Sequence, residues 1–243
     1  MNSEATYLKN NNVYLCGTVA TPPKYSHELY GEGFYEFSLC VLRLSGQCDY
    51  IPVTVSERLM NGVDLSEGAG VALNGQFRSY NKIENAKSKL MLTVFVRDFV
   101  EAEEGKNPNT AELLGYICKP PVYRTTPFNR EICDVLLAVN RAYNKSDYIP
   151  CIAWGRNARF VRDIEVGQKI FVTGRIQSRE YTKKLSETES EIRVAYELSI
   201  GKLVRGDDLI QEDAVLSAVQ DAAFAEAAED GAAAAAKIKD DIE

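Results

Sequence analysis

The sequence predicts an all-β chain of two tandem small barrels, each with one short helix, followed by a disordered, acidic, alanine-rich tail. Three observations predict it. The first is an internal repeat. "GTVATPPKY" (17–25) returns as "GYICKPPVY" (115–123), and "DYIPV" (49–53) returns as "DYIPC" (147–151), both shifted by 98 residues. "EGAGVALNGQFRSYNK" (67–82) matches "EVGQKIFVTGRIQSREYTK" (165–183), shifted by 99, with Gly68 and Gly75 against Gly167 and Gly174. Three blocks in one order at nearly one offset define two copies of one domain. The second observation is short runs rich in β-branched and apolar residues, several of them alternating, bounded by turn residues. The third is a break in composition near residue 207.

In the second copy the expected strands are "AELLGYIC", "EICDVLLAV", "YIPCIAW", "KIFVTGRIQSREY" and "IRVAYELSIGKLV". Between the third and fourth lies "GRNARFVRDIEVG". There Ala158, Val161 and Ile164 recur every three residues between Gly155 and Gly167, which predicts one short helix. The first copy repeats the order with "VYLCGTV", "FYEFSLCVL", "YIPVTV", the helix "SERLMNGVDL", "GVALNGQF" and "KLMLTVFVRDFV". Three strands, a helix and two strands in about 100 residues predict a five-stranded antiparallel barrel of the OB type. Repeat 1 is expected over 1–104, a polar linker over 105–111, repeat 2 over 112–206 and the tail over 207–243. In the tail Gly231 interrupts the alanine run and no apolar face persists, so transient helix is the most expected there.

The net charge of −7 argues at first against a nucleic-acid partner, but it is an average. Residues 207–243 hold 11 acidic and 2 basic side chains, whereas 107–206 hold 16 basic and 11 acidic. The second copy is therefore the basic segment of an acidic chain. No apolar run approaches a membrane span, and "MNSEATYLKNNN" lacks the layout of a signal peptide, so a cytoplasmic, nucleoid-associated protein with no membrane partner is expected. The six cysteines form no CxxC pair and there is one histidine, His27, so neither a metal nor a cofactor is expected. Cys16, Cys40, Cys118 and Cys133 lie in apolar strand-like runs, and the cysteines are expected to be reduced. The chain has no GxSxG, Walker loop or HExxH, and no catalytic residue is expected.

In the second copy Tyr143, Tyr148, Trp154 and Tyr181 fall at strand ends and in loops. Arg141, Lys145, Arg156, Arg159, Arg162, Arg175, Arg179, Lys183 and Lys184 interleave with them. Unpaired bases stack on aromatic faces at about 1–3 kcal/mol per base, and phosphates call for cations beside those platforms. Each residue also has a plainer reading. Trp154 ends an apolar run and suits a core, Tyr148 suits a strand cap, and single arginines suit a solvated face. The combination in one copy points to a single-stranded polynucleotide.

"DYIPCIAWGRNARFVRDIEVGQKIFVTGRIQSREYTKK" and "LLGYICKPP" resemble the bacterial single-stranded DNA-binding protein family in its tandem OB-fold form. The resemblance covers copy two almost end to end and copy one more weakly. It implies base-stacking at Tyr143, Tyr148, Trp154 and Tyr181. Copy one answers with Leu44 or Ser45, Tyr50, Ser56 and Tyr80, so Tyr50 and Tyr80 are its remaining platforms, and the helix arginines become Glu57, Arg58 and Asn61. The resemblance further implies a non-catalytic protein that coats single-stranded DNA in replication, recombination and repair, and a homodimer presenting four OB folds. It also implies docking of replication or repair proteins on the acidic tail, where "KIKDDIE" carries the Asp-Asp-Ile part of the family's tip without its Pro-Phe. The alternatives are an RNA-binding OB protein and a protein-interaction adaptor. On either view, the repeated Asp-Tyr-Ile-Pro is expected to be shared barrel framework.

Overall fold

The computed structural model describes residues 10–84, 87–102, 105–184, 190–206 and 208; residues 207 and 209–243, where the tail is expected, lie outside the described residues. All but the last two residues of the two barrels' strands lie in the compact unit that ends at Leu203. Repeat 1 runs β1 (Asn11–Leu29), β2 (Glu32–Leu42), β3 (Cys48–Ser56), the turn of helix α1 (Glu57–Met60), β4 (Gly70–Glu84) and β5 (Lys87–Val100). Repeat 2 runs β6 (Asn109–Ile117), β7 (Val122–Thr125), β8 (Glu131–Arg141), β9 (Lys145–Trp154), α2 (Arg156–Val161), β10 (Lys169–Lys184) and β11 (Ser190–Arg205).

The strands form one continuous sheet, β2-β3-β5-β4-β1-β6-β10-β11-β9-β8-β7, which closes on itself twice through β1–β2 and β6–β8. Each closure makes a five-stranded barrel. Closure also needs a short parallel pairing of the third strand with the fifth: Val53↔Val94 and Thr54↔Phe95 in repeat 1, Cys151↔Leu198 and Ile152↔Ser199 in repeat 2. The barrels are thus not purely antiparallel, as the hairpin-like spacing predicts. Leu15, Leu39, Ile51, Leu73 and Phe77 fill one interior; Leu113, Leu137, Ile149, Ile170 and Ile176 fill the other. Gly75 and Gly174 recur because β4 and β10 each cross the fifth strand too closely for a side chain. A Cβ at Gly75 would stand 2.6 Å from the Phe95 carbonyl oxygen, and one at Gly174 would be closer still to that of Ser199.

Four details depart from the expected elements. The first strand of repeat 1 runs on to Leu29 and pairs with β2 down to Leu29↔Glu32, with register shifts around Pro22 and Pro23. In repeat 2 the same path is broken at Pro120–Pro121, where proline has no N–H to give a ladder, and β7 appears as a sixth strand. The helices are shorter than the spacing predicts, four and six residues. The stretch read as linker already enters β6 at Asn109.

The cysteine expectation is corrected as well. Cys40 on β2 and Cys48 at the start of β3 form a disulfide, with Cα atoms 5.7 Å apart, while Cys118, Cys133 and Cys151 keep free thiols. Cys40 and Cys48 meet because the β2–β3 hairpin, which pairs Cys40 with Tyr50 and Leu42 with Cys48, sets them diagonally across the two strands.

The barrels join through β1 and β6, antiparallel from Asn11↔Leu113 to Leu15↔Asn109 with Val13↔Ala111 at the centre. Because the repeats are offset by 98, this register maps onto itself, and the repeats meet like the halves of an isologous dimer.

Candidate nucleic-acid interface

Asn11 and Asn109 show how far the two-fold relation extends. Asn11 donates from Nδ2 to the Phe77 carbonyl at 2.8 Å and accepts the Phe77 N–H at 2.8 Å. Asn109 does the same to Ile176 at 2.7 and 2.8 Å. Each side-chain amide continues a barrel ladder beyond the point where the backbone turns to the other repeat.

The same relation governs the repeated Asp-Tyr. Asp49 Oδ1 accepts the N–H of Ser178, and Ser178 Oγ accepts the N–H of Tyr50, at 2.9 and 3.0 Å. Reciprocally, Asp147 Oδ1 accepts the N–H of Ser79, and Ser79 Oγ accepts the N–H of Tyr148, at 2.7 and 2.8 Å. The repeated segment is therefore an inter-barrel clamp as well as framework. Both aspartates are buried. Arg43 holds Asp49 through Nε and Nη2 at 2.6 and 2.5 Å. Arg141 approaches Asp147 only to 3.4 Å, and Asp147 Oδ2 has no hydrogen bond. Burial pushes the Asp147 carboxyl above the usual aspartate range, against the pull of the Ser79 N–H, Arg141 and Arg78.

The clamp positions the rings. Tyr148 and Trp154 occupy same-face positions of β9, 46% and 38% exposed, while the alternate residues Ile149, Cys151 and Ala153 are buried. Six residues at about 3.3 Å each separate them by about 20 Å along the strand. Tyr143 stands at the tip of the β8–β9 turn, 95% exposed, where it and Asn144 take the left-handed conformation with φ of 60° and 53°. Tyr181 is exposed on the protruding part of β10, beside Arg193. Tyr50 and Tyr80 of repeat 1 are exposed too, and Tyr80 makes a 3.5 Å hydrogen bond to Glu36. Through the clamp, Tyr148 adjoins the Ser79–Tyr80 segment and Tyr50 adjoins the β10 segment that leads to Arg179 and Tyr181.

The cations fare less uniformly. Arg141 is turned to Asp147 and serves the clamp. Arg159 pairs with Glu131 at 3.2 Å, and Arg179 stands 3.6 Å from Glu197. Arg175 is half-buried, with a long 3.5 Å contact to Gln177. Lys145 opens β9 and Arg156 opens α2, both exposed. Lys183 lies on β10, its side chain outside the described residues. Sequence reasoning missed Asp49, Asp147, Ser79 and Ser178, whose signal was the repeat itself: Ser79 and Ser178 stand at the same offset as the matching blocks.

Comparison with known proteins bears on the second barrel directly. Residues 108–201 match the Single-strand binding protein family. The family segment reaches from the start of β6 into β11 and carries Tyr143, Tyr148, Trp154 and Tyr181. "Single-stranded DNA-binding protein 1" of Staphylococcus aureus (strain COL) is 36% identical over 80 residues, which is 30% of this chain and 48% of that protein. "Single-stranded DNA-binding protein 1" of Lactococcus lactis subsp. lactis (strain IL1403) is 34% identical over 80 residues, 30% of this chain and 53% of that protein. The chain thus spans about half the length of these curated relatives. The wild-type single-stranded DNA binding protein from Thermus aquaticus superposes with a TM-score of 0.63 at 21% identity, over 80% of this chain and 92% of that chain. That share exceeds one barrel, so the likeness in fold takes in both repeats.

Proposed function

We propose that this chain binds single-stranded DNA without strong sequence preference and coats exposed strands in replication, recombination and repair. The observation that carries this reading is the pair of exposed rings, Tyr148 and Trp154, on one face of β9 inside the family segment. Stacking on flat rings tolerates any base, and phosphate contacts carry no sequence information. Repeat 2 (112–206) supplies the main stacking surface, with Tyr143 and Tyr181 beside these two rings and Lys145, Arg156, Arg175 and Lys183 as its cations. Repeat 1 (1–104) adds Tyr50 and Tyr80 across the clamp. The role is binding rather than catalysis.

The protein acts as a homodimer presenting four barrels. Supporting this, the outward side of the joined sheet carries Tyr14, Leu114, Tyr116 and Phe171 in partly exposed positions beside a concave polar patch at Asn74, Asp98 and Glu112. No helix among the described residues is long and apolar enough to cross a membrane. We place the protein in the cytoplasm with the nucleoid, and assign the acidic tail to replication and repair partners.

The test is titration of a labelled dT 35-mer against the full chain and the W154A and Y148A variants. Each substitution is expected to weaken binding by about 1–3 kcal/mol. Unchanged binding by the double variant would remove the stacking platform from the reading. Tighter binding of a matched rU oligomer would move the assignment to RNA, where the 2′-hydroxyl decides.

A further inference from the structure

Repeat 1 has lost the ring that repeat 2 presents at Trp154, and at that position, 98 residues earlier, stands Ser56. Around Ser56 the surface opens into a recess of about 230 Å3 lined by Arg58, Arg78, Phe95 and Arg97. The strand pairings give the counterparts of these residues in repeat 2. Val53↔Val94 and Cys151↔Leu198 are equivalent, so Phe95 answers to Ser199 and Arg97 to Gly201; Arg78 answers to Gln177 in the matching blocks. Repeat 1 therefore has Ser, Arg, Phe and Arg where repeat 2 has Trp, Gln, Ser and Gly. The ring and the charges have been redistributed, not removed.

The recess is built rather than incidental. Arg78 lies with Cζ 3.9 Å from the centre of the Phe95 ring. Phe95 is 5.7 Å from Phe34, which also lines the recess and stacks on His27 at 5.1 Å behind it. Gln76 Oε1 accepts from Arg78 Nε and Nη2 at 3.2 and 2.6 Å and fixes the guanidinium plane. Among the described residues no carboxylate is ion-paired with Arg78. Burial, and then the neighbouring charges of Arg141 and Arg97, hold its pKa down to about 10, so it stays a cation at neutral pH. Ser56, 4% exposed, offers a hydroxyl with no hydrogen-bond partner. Buried hydroxyls without partners are rare enough to call for a ligand or another explanation. Glu32, the carboxylate in the lining, accepts the Arg58 backbone N–H at 3.2 Å.

We propose that this recess binds one phosphoryl group of the single strand, with the Arg58 and Arg78 guanidiniums on its oxygens and the Ser56 hydroxyl donating to it. The inference rests on the DNA-binding reading above. Guanidinium forks match phosphate geometry and keep their charge when half-buried. At about 230 Å3 the recess is smaller than the roughly 300 Å3 at which sites for whole small-molecule ligands begin, which suits one phosphoryl group rather than a complete nucleotide. Repeat 1 then grips the backbone while repeat 2 stacks the bases.

The experiment measures dT 35-mer affinity across a salt series with the full chain. Removing one phosphate neutralisation on a single strand lowers the slope of log K against log salt by about 0.7. R58Q and R78Q are each expected to lower the slope by about that amount. R124Q, the same change of charge on β7, is expected to leave it unchanged. S56W, which fills the recess but keeps every charge, is expected to lower it as well. Arg58 is exposed, so R58Q carries the test if R78Q fails to fold. Equal slopes for R58Q, R78Q and wild type, with W154A still weakening binding, would overturn the phosphoryl site and leave the DNA reading standing. An R124Q effect as large as that of R58Q would also overturn it, as long-range charge alone. Absence of any dT binding by the wild type would overturn both. Comparing 5′-phosphorylated with 5′-hydroxyl 35-mers separates the sources. Equal affinities assign an internal phosphodiester, and a 5′-phosphate preference abolished in R58Q assigns the strand end.

Discussion

The Asp147 carboxyl is wholly buried, and its two oxygens have different fates: Oδ1 takes the Ser79 N–H and Oδ2 has no hydrogen bond. Substitutions there separate shape from charge. D147A leaves the Ser79 N–H unsatisfied between the barrels and is expected to cost about 1–3 kcal/mol in denaturant unfolding. D147N keeps an acceptor at Oδ1 and is expected to cost less. Burial raises the native pKa of this group above its unfolded value, so the folded chain holds the proton more tightly. Its contribution to stability is fully present below the unfolded pKa, near 3.9, and is lost as pH rises through the native pKa. The stability of D147N relative to wild type is therefore expected to improve as pH rises through that window, which denaturant midpoints from pH 4 to 7 would show. A constant difference would mean that the carboxyl is ionised throughout.

At the scale of elements, hairpins decide what the cysteines and asparagines do. Cys40 and Cys48 close a short loop across β2 and β3. Denatured without reductant, the protein is expected to take up four alkyl groups, and with reductant six. Reduction is expected to lower the unfolding free energy by about 2 kcal/mol through the longer reach of the unfolded chain. Six groups without reductant would return all the cysteines to the reduced state that their apolar surroundings predict. Asn109 splices β6 to β10. N109A leaves a partly buried N–H and carbonyl of Ile176 without their partner and is expected to lower stability by about 1–3 kcal/mol, read as a shifted denaturant midpoint with an unchanged slope.

For the whole molecule, the internal two-fold makes one chain resemble a dimer of barrels, with the Asp49–Ser178 and Asp147–Ser79 clamps on either side of the β1–β6 seam. The solution mass with and without a dT 35-mer is expected to correspond to two chains, then to two chains plus bound strand. A stable single chain would move the outward sheet face from an interface to solvent. The cations belong to this scale as well. Arg141, Arg159 and Arg179 read as phosphate contacts along the sequence, yet each has a carboxylate within 3.6 Å. Lys145 and Arg156 have none among the described residues, so fewer of the second copy's cations are left without a carboxylate than composition indicates.

By itself the sequence determined the two barrels and put Tyr148 and Trp154 on one strand, because alternation and an offset of 98 are written in adjacent residues. It placed Asp49 and Asp147 in the right strands but not in their role, since a contact to Ser178 or Ser79 spans more than 60 residues. Ion pairs such as Arg159 with Glu131, the sixth strand, the Cys40–Cys48 bridge and the recess at Ser56 were decided only when the chain closed. Residue types fix which faces must be buried. Which charges meet, and which hydroxyl is left without a partner, depend on strands brought together from distant parts of the chain.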